Sequence, residues 1–199
     1  MRYYTNFDHL ENVDVRILSQ NLIRPLKLLS TQPIVQCMAL YNAFIYGNTY
    51  IFYADFVTVY TERYRQSVQI AGLHYVSIAV ASTIATYLYA ISLDRIYKHM
   101  SHRNGRTGRP EFRIPIMVPG TILLVVGLFW YGWSADTIQH WIMPDIGCSF
   151  FIAGATVCTS SVNAYVVDTY GQFSASAIAA ISILRCLAAF TFPLFAPYL

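Results

Sequence analysis

The chain has 199 residues, 56% of them apolar and only 12% charged, where an ordinary soluble domain carries about 25% charged residues. Mean hydropathy is +0.43 and net charge only +3, with the basic residues spread through loops rather than gathered in a patch. That balance excludes a soluble domain and a nucleic-acid binder, and leaves an all-α membrane protein whose surroundings are the lipid bilayer.

Residues 1–32 read as a cytoplasmic approach segment, with Arg2, Arg16, Arg24 and Lys27 set against Asp8, Glu11 and Asp14. Within it, Asp14–Leu29 has the pattern of a short amphipathic helix along the inner leaflet, its apolar side formed by Ile17, Leu18, Leu22 and Leu26. Arg24-Pro25 is expected to interrupt that helix. The first thirty or so residues are polar and mixed in charge, and no cleavable signal peptide is visible in them.

Residues 33–199 read as a transmembrane bundle of five spans, at about 33–59, 70–93, 114–133, 142–167 and 175–199. Each is long enough, since about twenty helical residues cover a hydrocarbon core of about 30 Å. The first span is unusual in carrying Asn42, Asn48 and Asp55 among Tyr41, Tyr46, Tyr50 and Tyr53. Asn42, Tyr46, Tyr50 and Tyr53 fall on one helical stripe, which would not face lipid readily. After a polar turn over 61–69, the second span is rich in small residues (Gly72, Ala79, Ala81, Ser82, Ala85), and close helix packing is expected there.

A strongly basic loop over 94–113 follows. Together with Leu93 it reads LDRIYKHMSHRNGRTGRPEFR and holds six Lys or Arg residues. Each such charge costs at least about 2.5–3.5 kcal/mol at mid-membrane, so the loop is placed in the cytoplasm. The third span ends in FWYGW from Phe129, an aromatic belt at the far interface, and the fourth carries Gly147, Gly154, Thr156, Thr159, Ser160 and Asn163. The fifth holds Arg185 near its middle. With the basic loop inside, the inner segments carry four, six and no Lys/Arg and the outer loops only Arg63 and Arg65, which satisfies the positive-inside rule. Five spans put Leu199 outside and leave a six-helix bundle without its last helix.

Arg185, a guanidinium deep in an apolar helix, must face a cavity or find a structural partner such as Asp168 or backbone carbonyls. Asn42, Tyr46 and Asn163 are candidates to line a substrate cavity, their polar tips orienting a ligand against aromatic faces. Interhelical hydrogen bonding is the competing reading of all three. Asp94, at an inner helix end, can pair with an Arg of a neighbouring inner segment and latch one state of a moving bundle; otherwise it balances the loop. Asp55 and Asp168 read as interfacial, Asp145 as a charge at a helix amino terminus, and His74 as a packed hydrogen-bonder. Cys37, Cys148, Cys158 and Cys186 all sit in apolar runs and read as small buried hydrophobes. No Cys/His cluster, nucleotide-binding run or catalytic constellation is present, so no metal site, no cofactor and no catalytic residue is expected.

RPLKLLSTQPI from Arg24, the basic loop, FWYGW and FPLFAPYL from Phe192 occur in an order that resembles the second half of a major facilitator superfamily transporter. The likeness is greatest to fungal twelve-span drug:proton antiporters and covers Leu22–Leu199 as spans seven to eleven. Asp94-Arg95 and Lys98 resemble a degenerate echo of that superfamily's inner-loop signature, with Ala90 and Tyr97 standing where glycines would be. The resemblance implies an incomplete carboxyl-terminal six-helix bundle and a basic residue in the span that holds Arg185. It also implies part of a secondary transporter for drug or secondary-metabolite efflux, proton-coupled when intact and resident in the plasma membrane. The implied partners are a small-molecule substrate and an amino-terminal six-span half, with a non-transporting fragment or partner of another half as the alternative.

Overall fold

A computed structural model describes residues 15–103, 108–137 and 140–195, with side chains from Ile23 onward. Its helices are α1 (Val15–Thr31), α2 (Pro33–Thr58), α3 (Val68–Leu73), α4 (Tyr75–Arg103), α5 (Met117–Asp136), α6 (Ile142–Tyr170) and α7 (Ser174–Phe195). No strand occurs among the described residues. Three stretches are long and apolar enough to cross a membrane: Val68–Arg103, Pro110–Asp136 and Ile142–Phe195, the last containing both α6 and α7. The 26-residue α2 is not among them, because Gln36, Asn42, Asn48 and Asp55 lower its hydropathy. The chain is thus an all-α membrane protein with five long helices.

Local chemistry sets the helix ends. Gln32 is extended (φ −107°, ψ 107°) and Pro33 opens α2, the position where a missing N–H removes nothing from the ladder. A π-helical turn, Val59–Arg63, closes α2. Ser67 caps α3 by accepting from the Ile70 N–H at 3.5 Å. Pro25 does not interrupt α1, contrary to expectation; the helix runs through it, forgoing one hydrogen bond. The Arg24 guanidinium, 4.6 Å from the centre of the Phe173 ring, ties that part of α1 to the start of α7.

α2 and α7 run in the same direction: Val35 and Ala39 cluster with Ala177, Ala180 and Ile181 at one end, while Gly47 meets Phe192 further along. α5 and α6 run antiparallel, and their contact is the tightest in the bundle. A Cβ on Gly127 would lie 2.2 Å from Phe151 N, one on Gly147 2.6 Å from Tyr131 N, and one on Gly154 2.4 Å from Leu124 N. Gly120 and Gly127 are seven residues apart, as are Gly147 and Gly154, so each pair lies on one face and lets the backbones touch.

The closest backbone approach thus lies between α5 and α6 and not in the second span, where close packing is expected. Gly72 has nothing within 4 Å of a Cβ, and Ala79 is exposed. Ala81 and Ser82 are half-buried and Ala85 is buried beside Ile78 and Tyr89, so the packing of that span is confined to the face those residues share. The cysteine expectation is half corrected: Cys148 and Cys158 are buried, while Cys37 and Cys186 are exposed on outward faces of α2 and α7. Large apolar side chains also point outward, Phe129 at 76% and Trp133 at 75% exposure, as a lipid-facing surface permits.

Candidate functional site

The aromatic stripe of α2 faces α6 across a cleft of about 320 Å³. Tyr46, Thr49, Tyr50 and Tyr53 recur at helical spacing on α2, and Thr156, Thr159 and Ser160 do so on α6, so each helix presents one mixed aromatic and hydroxyl face. Thr49 donates to Ile45 O and Thr156 to Ile152 O, both at 2.8 Å, which leaves their oxygens able to accept from a ligand. Tyr46 and Tyr50 stack at 6.5 Å between ring centres, and Tyr53 meets Tyr50 edge-on at 6.1 Å. Against this wall, from α7, comes Arg185. Its guanidinium carbon lies 4.6 Å from the Tyr46 ring centre, and Nη1 donates to the Tyr46 hydroxyl at 3.4 Å. The result is a cleft with aromatic faces, hydroxyl oxygens and one cation beside it, suited to an organic molecule with a ring and an oxygen function.

Of the residues singled out from sequence, the structure brings Tyr46 and Arg185 together, while Asn42, Asn163, Asp94, Arg95 and Lys98 are not among the residues that line the cleft. Asn42 is fully buried and does not line the cleft; neither atom of its side-chain amide has a hydrogen-bond partner among the described residues. Asn163 is half-buried on α6, three residues past Ser160. Asp94, Arg95 and Lys98 lie along α4, all three exposed, and none of them forms an ion pair among the described residues.

The ion pair at this basic end joins Arg113 and Asp168 instead. Arg113 Nε donates to Asp168 Oδ2 and Nη2 to Oδ1 at 3.3 Å, a two-bond clasp in which both side chains are about three-quarters buried. The same guanidinium lies 5.2 Å from the Tyr97 ring centre, so one residue links the approach to α5 with α4 and α6. Arg185 accordingly pairs with Tyr46, not with Asp168.

A second polar cluster lies at the opposite end. His74 Nδ1 meets Asp145 Oδ2 at 2.6 Å and Nε2 meets Gln66 Oε1 at 2.9 Å. The Tyr60 hydroxyl donates to Asp145 Oδ1 at 2.9 Å, and its ring stacks on the imidazole at 3.9 Å between centres. In the sequence, His74 and Asp145 stand as two unrelated residues. The signal that joins them is that each is polar and near the start of an apolar helix, at the same membrane level.

Sequence comparison agrees with this architecture. The profile of the Major Facilitator Superfamily matches residues 8–193. The chain is 45% identical over 176 residues to a Penicillium aethiopicum protein named efflux pump vrtL, covering 88% of this chain and 35% of that one. It is 37% identical over 181 residues to MFS-type transporter oryF of Aspergillus oryzae, covering 91% of this chain and 38% of that one. The chain thus spans little more than a third of the length of these relatives. No solved structure matches it. The chain belongs to the Major Facilitator Superfamily.

Proposed function

We propose that the chain is part of a secondary transporter that moves small organic molecules out of the cell across the plasma membrane, coupled to protons in the whole protein. The observation that carries this reading is the cleft between α2 and α6, with Tyr46 held under the Arg185 guanidinium at 4.6 Å. Tyr46, Tyr50 and Tyr53 supply stacking faces for an aromatic substrate, Thr156, Thr159 and Ser160 supply hydroxyls that orient it, and Arg185 attracts its oxygen or anionic group. A transport path of this kind lies between two six-span halves, so the amino-terminal half is the partner that completes the machine. The basic loop faces the cytoplasm, and the membrane charge rule supports that orientation.

The test is efflux of a fluorescent drug from cells expressing the chain with and without a co-expressed amino-terminal half. Efflux should require the pair, and Tyr46→Ala or Arg185→Ala should reduce it by about tenfold, the scale of a desolvated cation–π contact of about 1–2 kcal/mol. Export by the chain alone, or full export by both variants, would overturn the reading. An epitope at Gly105 that antibody reaches on unbroken cells would overturn the orientation.

A further inference from the structure

α4 presents one continuous face to two cavities of opposite character. Ala85, Leu88, Ser92 and Ile96 recur along it at three- or four-residue spacing and line an apolar groove of about 570 Å³, opposite Ile116 and Leu123. α6 supplies the floor through Ala153 and Val157. One turn further on, His99 and Arg103 continue the same face and, with Arg109 and Phe112 opposite, border a second cavity of about 300 Å³. The two cavities lie end to end along α4, one apolar and one basic. The geometry points to a binding site for an anionic phospholipid, with an acyl chain along the groove and the phosphate in the basic cavity.

The groove is the space left where α4 and α5 each pack against α6. α5 does so through its glycines, while α4 sets Tyr89 and Leu93 near Val157 and Ala164. Ile84 and Leu88 on the rim are 52% and 56% exposed, and both lie in a stretch apolar enough to cross a membrane, so the groove opens sideways among acyl chains. Its polar side chains are few: Ser92, Ser149 and the buried Tyr89, of which Ser149 already donates to Asp145 O at 2.8 Å. Such a groove offers a ligand apolar contact and little else. From Ile96 to Ala81, the α4 lining residue furthest from the basic end, the helix rises about 22 Å at 1.5 Å per residue. That matches the depth of one leaflet with its headgroup region, about 20–22 Å.

The basic end selects the headgroup. Arg103 and Arg109 form no ion pair among the described residues, whereas Arg113, four residues on, is committed to Asp168. Glu111 is exposed and pairs with neither arginine. Two guanidinium groups, one from each wall, suit a phosphate, whose oxygens accept paired N–H bonds. The Tyr97 ring meets Phe112 edge-on at 6.2 Å and the Arg113 guanidinium at 5.2 Å, which fixes the approach to α5 against the end of α4. A basic pocket between helices at the positively charged membrane face is the arrangement that holds anionic headgroups. A zwitterionic lipid would bring its own cation to the same arginines, and a soluble phosphate would leave the groove empty. The inference needs the chain in a bilayer and does not depend on which molecule the cleft between α2 and α6 accepts.

The experiment is native mass spectrometry of the chain released from detergent micelles, titrated with phosphatidylserine or phosphatidylcholine carrying the same acyl chains. Phosphatidylserine should bind at least about fivefold more tightly, the scale of one interfacial charge. Arg103→Gln combined with Arg109→Gln should abolish that preference, while Lys27→Gln, on α1 and bordering neither cavity, should keep it. Leu88→Trp, at an outward-facing position where folding is not at stake, should fill the groove and weaken phosphatidylserine binding several-fold with both arginines intact. Excess inorganic phosphate should not displace the lipid. Equal binding of the two lipids, a preference that survives loss of both arginines or falls with Lys27→Gln, or binding untouched by Leu88→Trp overturns the proposal. So does displacement by inorganic phosphate, or a lipid-free dimer in which a second copy covers the groove.

Discussion

Replacing Gly127 with Ala tests the backbone contact between α5 and α6 directly. The added Cβ would meet Phe151 N at 2.2 Å, Phe151 Cα at 2.7 Å and Gly147 O at 2.8 Å, all of them backbone atoms. No side chain can swing aside to relieve that clash. Ordinary contact begins at 3.4 Å, so the two helices would have to part by more than 1 Å along their shared face. Overpacking of this kind costs about 1–3 kcal/mol, and the separation also opens the Gly147 contact on one side and the Gly154 and Gly120 contacts on the other. Gly132 provides the control: it lies in the same helix, but nothing is within 4 Å of a Cβ placed there. Gly132→Ala should be neutral or stabilise by about 0.5–1 kcal/mol, because alanine restricts the unfolded chain. Thermal unfolding in detergent micelles, followed by tryptophan fluorescence, would separate the two. At about 2–4 °C per kcal/mol for a chain of this size, the combined difference of about 1–4 kcal/mol should make Gly127→Ala melt roughly 2–16 °C below Gly132→Ala. Equal melting temperatures would refute the claim that α5 and α6 touch backbone to backbone.

Three further outcomes follow from the same contacts. Removing either partner of the Arg113–Asp168 clasp should destabilise by about 1–2 kcal/mol, with Arg113→Lys recovering only part because it cannot make two parallel bonds; unfolding of the three variants checks this. Asn42→Leu should leave the melting temperature unchanged or raise it, since a buried amide without a partner costs about 1–3 kcal/mol; a clear fall would reveal a partner for Asn42. Gly171 joins α6 to α7 at φ 48° and ψ −110° with open space around it, so Gly171→Ala should cost about 1–3 kcal/mol from backbone strain alone, and an unchanged melting curve would contradict that geometry.

The amino-acid sequence makes legible whatever depends on neighbours along the chain. The apolar runs, the basic loop and the tyrosine stripe from Tyr46 to Tyr53 are local patterns, and helical spacing alone places those tyrosines on one face. Arg185 stands out because a guanidinium in an apolar helix must find a partner. Its partner is 139 residues away on α2, though, and no spacing rule picks Tyr46 over Asp168. The same limit hides the Arg113–Asp168 clasp, 55 residues apart, and the His74–Asp145 pair, 71 apart. Each residue alone has an ordinary explanation as a loop charge, a helix-end acid or a packed imidazole. Their roles exist only after α4, α5 and α6 have been brought side by side. Here the glycines matter for one pair: by letting α5 and α6 touch, Gly127, Gly147 and Gly154 set the spacing on which the Arg113–Asp168 clasp, between the approach to α5 and the end of α6, depends. Small residues at a seven-residue interval are visible in sequence, but Gly120 and Gly127 look no different from Gly72 and Ala79, which are exposed, until the partner helix is known.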